Sequence, residues 1–112
     1  MRKTRRKPSY DLELVKGCVS RGAVSFSRRP RKFIQEHYGF IDYLEVVKSV
    51  FNAMRHEHFV KSDELEYLPG TYADIYSGMK YDDIEWYVKF FMRDGEVSQV
   101  EIWSMNWDGT VH

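Results

Sequence analysis

The chain has 112 residues, of which 43% are hydrophobic and 16% aromatic, and its 17 basic side chains balance 17 acidic ones. This length suits one domain, and the apolar content excludes a disordered chain. No apolar run approaches the roughly 20 residues that span a bilayer, which excludes an integral membrane protein. The only cysteine, Cys18, excludes an internal disulfide and a cysteine-clustered zinc site. A single free thiol suits a reducing compartment, so we predict a cytoplasmic protein.

The balanced charge hides an uneven distribution along the chain. Residues 1–32 hold eleven basic and two acidic side chains, a net charge of +9, so the other 80 residues carry −9. A basic patch is typical of a protein that binds nucleic acid, although an acidic remainder is not. The alternative is an ordinary basic tail in solvent beside a mixed surface, and charge alone leaves both interpretations open.

The N-terminal half predicts three helices after a basic arm. Residues 1–9 are expected to be flexible, and residues 10–112 to form a single domain. Ser9 is expected to cap the first helix and Gly22 to end it, with a short edge strand at residues 23–26. The helices are predicted at residues 10–21, between Ser27 and Gly39, and at residues 41–54, where apolar residues recur at helical spacing.

The C-terminal half changes to the periodicity of strands. Residues 84–93 alternate, with Trp86, Val88 and Phe90 on one face and Tyr87 and Lys89 on the other. Strands are predicted at residues 58–65, 73–79, 84–93 and 97–106, with turns at residues 68–70 and at the Asp-Gly pair of residues 94–95. Helices followed by a strand meander predict an α+β fold, with the N-terminal helices packed on one face of a mostly antiparallel sheet.

The sequence holds no strong catalytic or metal-binding motif. His56 and His58 stand two residues apart, which would place them on the same side of a strand. Two ligands do not complete a zinc site, and no third residue follows at a suitable spacing. We therefore predict neither a metal nor a cofactor.

Several short segments indicate little about the family when taken alone, but their order and spacing are informative. They are Val15-Lys16, Gly22 with Val24, Tyr38-Gly39, residues 58–62, Asp74-Ile75-Tyr76, Tyr87-Val88-Lys89 and residues 100–104. In this order and spacing, the chain resembles the MqsR family of type II toxin–antitoxin toxins, relatives of the RelE-like mRNA interferases. The resemblance covers about residues 12–107 and implies a RelE-like fold for the whole domain.

The resemblance implies an endoribonuclease that cleaves mRNA without a metal and is neutralised by a cognate antitoxin protein. In such cleavage the ribose 2′-OH attacks the adjacent phosphate, which requires proton transfer and cations to stabilise the phosphate charge. By the resemblance, Lys61 falls on the family's catalytic lysine and Tyr87 on its catalytic tyrosine. Lys61 would serve as a phosphate cation or in acid–base catalysis, and Tyr87 as a proton donor or hydrogen-bond partner.

Further residues are expected to bind the RNA substrate. They are Lys89, Arg93, Tyr76, Arg28, Arg29 and Arg31. The alternative is that the lysines are an ordinary solvated strand face and that the aromatic residues belong to the core or to a partner interface.

Two positions depart from the family pattern. A glutamine of the family falls on Ala73, and a lysine of its C-terminal strand falls on Asn106. Losing either group would lower the rate by roughly tenfold to a thousandfold if it acts in the transition state. His58, Tyr72 and Arg93 are candidates to rebuild the site. The nearby acidic residues would repel RNA phosphates: Asp63, Glu64, Glu66, Asp82, Asp83 and Glu85. The alternative function is therefore a catalytically degraded toxin-like fold that acts as a protein-binding inhibitor or regulator.

Overall fold

A computed structural model describes residues 3–39, 43–93 and 98–108. Within these residues the chain forms three α-helices, one 3₁₀ turn and six β-strands. The helices are α1 (Leu12–Ser20), α2 (Arg28–Tyr38) and α3 (Tyr43–Ala53), and the 3₁₀ turn is His56–His58. The strands are β1 (Thr4–Arg5), β2 (Val24–Phe26), β3 (Phe59–Leu65), β4 (Leu68–Tyr81), β5 (Ile84–Arg93) and β6 (Gln99–Trp107).

The strands form one sheet in the order β1-β3-β4-β5-β6-β2. Neighbouring strands are antiparallel except β2 and β6, which are parallel. Trp86, Val88 and Phe90 are fully buried in the main core with the apolar residues of the three helices. The predicted α+β fold, with helices on one face of the sheet, is confirmed. The other face, which we call the open face, carries Tyr87 and Lys89.

Helix α1 begins two residues later than the sequence predicted. Asp11 caps it, because the Asp11 carboxylate accepts the backbone N–H of Glu13 at 2.9 Å. Ser9, the predicted cap, instead donates its backbone N–H to Asp74 on β4 at 2.9 Å. Gly22 follows the helix with φ of 79°, a left-handed conformation that glycine adopts without strain.

The second and third helices lie where their apolar spacing predicted. Helix α2 begins after Ser27 and ends at Gly39, whose φ is 75°. Its interior residue Ile34 is fully buried. Helix α3 is described from Tyr43 and buries Phe51 against the sheet. Its predicted start at residue 41 lies outside the described residues.

Strand β4 is longer than the sequence predicted. The turn between β3 and β4 is at residues 66–67, so residues 68–70, predicted as the turn, belong to β4. Leu65 pairs with Leu68, and the Glu64 carboxylate accepts the Gly70 N–H at 2.9 Å, which fastens the start of β4 to β3. The Asp-Gly turn predicted at residues 94–95 lies outside the described residues.

The N-terminal segment differs from the flexible arm that its composition suggested. Thr4 and Arg5 form β1, in which Thr4 lies opposite Asp63 of β3. The backbone N–H groups of Ser9 and Tyr10 donate to the Asp74 carboxylate at 2.9 to 3.1 Å. The segment is thus attached to both β3 and β4.

Candidate functional site

The open face of the sheet carries the residues predicted to be catalytic. Lys61 on β3 lies opposite Ile75 on β4, which in turn lies opposite Lys89 on β5. Paired positions point to the same side of a sheet, so the two lysines flank Ile75, about 10 Å apart by strand spacing. Tyr87 stands two residues before Lys89 and shares its face. The register therefore brings Lys61, Tyr87 and Lys89 to one surface.

Lys61 forms an ion pair with Asp63, two residues further along β3. Lys61 Nζ lies 3.2 Å from Asp63 Oδ2, and the two side chains are 47% and 16% exposed. Thr4 Oγ1 donates a hydrogen bond to Asp63 Oδ1 at 2.7 Å. Partial burial opposes ionisation of Asp63, but the hydrogen bonds from Thr4 and Lys61 and the charges of Lys61 and Lys89 outweigh it and lower its pKa. Asp63 is therefore an ionised carboxylate at neutral pH.

Tyr87 is half-buried within the field of two carboxylates. Burial first, and then the negative charges of Asp63 and Asp108, raise the pKa of its phenol. Asp108 is held in place because it accepts the Ser77 hydroxyl at 2.7 Å and the Gly78 N–H at 2.9 Å. Tyr87 is consequently protonated at neutral pH, which suits a hydrogen-bond donor and not a base.

The two positions that depart from the family pattern add no cation to this surface. Ala73 is fully buried in a small cluster with Leu65 and Phe91. Asn106 lies opposite Tyr87. Its Oδ1 is buried and has no hydrogen-bond partner among the described residues. Neither residue reproduces the family's glutamine or lysine.

Of the three candidates to rebuild the site, His58 lies near Gly78 of β4. Its Cδ2 is 3.7 Å from the position that a Cβ on Gly78 would take. Gly78 follows Ser77, which pairs with Tyr87. His58 Nδ1 accepts the Arg55 N–H at 2.9 Å, so the neutral ring carries its proton on Nε2.

The other two candidates are engaged elsewhere. The Arg5 guanidinium lies 3.6 Å from the centre of the Tyr72 ring, at the β1 edge of the sheet. Arg93 shares the face of Lys89, but its Nε lies 3.1 Å from Glu101 Oε1. The structure does not place either side chain beside Lys61.

Tyr76, which the sequence analysis expects to bind substrate, lies in the core and not on the open face. Its side chain is 0% exposed and its ring stacks on Phe90 at a centroid distance of 5.9 Å. Strand alternation explains the difference, because Ile75 faces the open side and its neighbour Tyr76 must face the helices. Burial, with a smaller effect of the Asp74 charge, raises the pKa of Tyr76 to about 12.

The arginine cluster lies far from Lys61. It is exposed on α2 and consists of Arg28, Arg29 and Arg31. Helix α2 packs on the helical face, where Phe33 lies 5.9 Å from Trp86, and Ser27 at its start donates to the Trp103 carbonyl of β6. Strand β6 is three strand spacings, about 14 Å, from β3. These arginines would contact RNA only outside the region of Lys61.

Sequence patterns alone do not predict that Thr4 and Asp63 contribute to the site around Lys61. Asp63 carried a signal, since it follows Lys61 by two residues on a predicted strand and so shares its face. As one of several acidic residues in its segment, it indicates by sequence only the repulsion of RNA phosphates. Thr4 carried no signal, because its contact with Asp63 spans 59 residues and depends on how β1 pairs with β3.

No helix in the described part of the chain is long and apolar enough to cross a membrane. Over the same ranges, the histidine, cysteine, aspartate and glutamate side chains form no group of three or more that would hold a metal ion.

Comparison with known protein families gives a match over most of the chain. The family model described as "Motility quorum-sensing regulator, toxin of MqsA" matches residues 7–105. This range includes Lys61, Asp63, Tyr87 and Lys89. No curated protein matches the chain.

Proposed function

This chain belongs to the MqsR toxin family, as its sequence motifs indicated, and from that premise we propose that it is a metal-independent mRNA interferase neutralised by a cognate antitoxin. Family membership makes it a toxin of a toxin–antitoxin system. The observation that carries the proposed activity is the sheet register, which sets Lys61 and Lys89 on either side of Ile75 with Tyr87 beside them. Two cations and a protonated phenol on one surface suit the binding of a phosphate.

In the proposed reaction the ribose 2′-oxygen bonds to the adjacent phosphorus and the bond from phosphorus to O5′ breaks. The products are a 2′,3′-cyclic phosphate and a 5′-hydroxyl, and the proton of the 2′-OH passes to water. Lys61 and Lys89 stabilise the charge that builds on the phosphate oxygens. Tyr87 donates a hydrogen bond to the phosphate and its proton to the departing O5′, and the phenolate then takes a proton from water. The raised pKa of the phenol keeps Tyr87 protonated before the reaction.

A cleavage assay on a purified single-stranded transcript in the presence of EDTA tests this proposal. The native protein should cut the transcript, and Lys61→Ala should slow cutting by about 100-fold or more. Lys32→Ala is the matched control, since Lys32 is an exposed lysine of α2 that lies 3.9 Å from Glu36. Cleavage that survives Lys61→Ala removes Lys61 from the mechanism. A folded native protein that cuts no transcript overturns the enzyme proposal.

A second function is favoured by the two departures from the family pattern. Ala73 and Asn106 bring no cation to the open face, while Asp63 and Asp108 bring negative charge. These two carboxylates oppose the lysines in binding a phosphate and would attract a basic protein partner. A catalytically degraded toxin that binds and inhibits or regulates another protein would have these properties.

Growth of cells that express the protein separates the two functions. An interferase should arrest growth, and Lys61→Ala should restore it, because loss of cleavage removes the toxicity. A binding protein should affect growth equally with and without the substitution. Matched protein levels, measured by immunoblot, are the control for this comparison.

A further inference from the structure

Near the start of the N-terminal segment, the Thr4 side chain reaches the open face. Thr4 lies opposite Asp63 in the pairing of β1 with β3, and its hydroxyl donates to Asp63 Oδ1 at 2.7 Å. The other oxygen of the same carboxylate, Oδ2, lies 3.2 Å from Lys61 Nζ. The three side chains therefore form a continuous chain of polar contacts that ends at Lys61.

We propose that Thr4 and Asp63 are positioning residues that hold the Lys61 ammonium in place for the phosphate, an inference that rests on the function proposed above. Thr4 occupies one carboxylate oxygen and so directs the other toward Lys61. The β-branched side chain of threonine has few rotamers, which makes it suited to this task. An ammonium group has three N–H donors, so the bond to Asp63 leaves two for phosphate oxygens.

The burial of Asp63 and of Lys61 fits this arrangement. Asp63 is 16% exposed at its side chain and is covered enough to be held still, whereas Lys61 at 47% remains accessible to a large substrate. The carboxylate itself repels the phosphate backbone. Asp63 should therefore weaken RNA binding slightly while it raises the rate of the chemical step. Substitution of a residue with a merely structural role would not raise the affinity for RNA while it lowers the rate of the chemical step.

The first test is the steady-state kinetics of full-length variants on a single-stranded transcript. Asp63→Asn should lower kcat by about 10- to 100-fold, because a misplaced catalytic group loses this much, while KM stays equal or falls. Thr4→Val should lower kcat by about 3- to 10-fold, and Thr4→Ser, which retains the hydroxyl, should restore most of it. Glu36→Gln is the matched control, since it breaks a lysine–glutamate ion pair on α2 away from the site.

The second test needs no activity. Limited acetylation with acetic anhydride, followed by mass spectrometry, reports how freely each lysine amine reacts. Lys61 should react faster in Thr4→Val and in Asp63→Asn than in the native protein, relative to Lys32 in the same sample, because the ion pair holds and partly shields its amine.

The two tests together decide the inference. A reduced kcat with faster labelling of Lys61 supports it. An unchanged kcat overturns it, and so does unchanged labelling of Lys61. If the native protein cuts no RNA, the proposed function fails, and the labelling alone then supports or overturns the contact between Thr4, Asp63 and Lys61.

Discussion

Two aspartates on opposite faces of the sheet contact the same N-terminal segment but differ in burial, in their partners and in the direction of their pKa shifts. Asp63 lies on the open face and contacts the Thr4 hydroxyl and the Lys61 ammonium. Asp74 is 0% exposed and accepts the backbone N–H groups of Ser9 and Tyr10.

Their pKa values shift in opposite directions for physical reasons. Burial raises the pKa of Asp74 and outweighs the hydrogen bonds that it accepts from Ser62, Ser9 and Tyr10. At Asp63, hydrogen bonds and lysine charges outweigh burial and lower the pKa. One short N-terminal segment thus contacts a buried carboxylate inside the fold and an ionised carboxylate on the open face.

The largest expected effect comes from removing the buried carboxylate. Asp74→Ala should lower the free energy of unfolding by about 2–4 kcal/mol, because two backbone N–H groups would lose their acceptor in a buried place. Urea denaturation at neutral pH measures it. Asp63→Ala is the matched control and should cost less than about 1 kcal/mol, since its ion pair is partly solvated. Equal losses for the two variants would show that the faces do not differ as described.

A deletion of residues 1–7 separates the two contacts, because it removes Thr4 and leaves Ser9 and Tyr10. It should lower the free energy of unfolding by about 1 kcal/mol. If RNA binds, the deletion should also weaken binding and flatten its salt dependence, since five basic side chains are lost from this segment. Filter binding at several salt concentrations measures this effect.

The control for the deletion changes charge without removing β1. The full-length double variant Arg6→Gln, Lys7→Gln should flatten the salt dependence in part and leave the stability unchanged. If the deletion leaves the salt dependence of RNA binding unchanged, the basic segment contacts a protein partner and not RNA.

The smallest effect is the pH dependence of the Asp63 contribution. Because the folded protein lowers the pKa of Asp63, this contribution is present above the unfolded value of about 3.9 and is lost as the pH falls through the folded value. The native protein should exceed Asp63→Asn in free energy of unfolding by about 0.5–1 kcal/mol at neutral pH. This gap should shrink toward pH 3 in urea denaturation, and a gap that widens on acidification would contradict it. The contribution of Asp74 to stability has the opposite pH dependence. Because the folded protein raises its pKa, Asp74 favours the folded state as the pH falls.

Much of the fold could be predicted because its signals are local. The alternation in β5 placed Trp86, Val88 and Phe90 in the core and left Tyr87 and Lys89 on the other face, as the structure confirms. Strand β4 gave no such signal. Its residues 73–76 are all buried, although Asp74 is charged. The polarity of these residues therefore does not indicate that Tyr76 faces the helices.

The start of α1 shows a second limit of local signals. Ser9 and Asp11 are both good N-cap residues, and the sequence does not decide between them. The decision depends on Asp74, whose buried carboxylate accepts the Ser9 N–H from 65 residues away. With Ser9 held on the sheet, the helix begins after Asp11.

Local patterns in the sequence predict the helices, most of the strands, the face of Tyr87 and Lys89, and the family. Each depends on spacing between near neighbours, which the chain geometry converts directly into a shared face. The position of Lys61 across Ile75 from Lys89, and the contact of Thr4 with Asp63, depend on tertiary pairing of the strands. These contacts join distant segments, and their free energy depends on the docking of the whole chain, which no local pattern encodes.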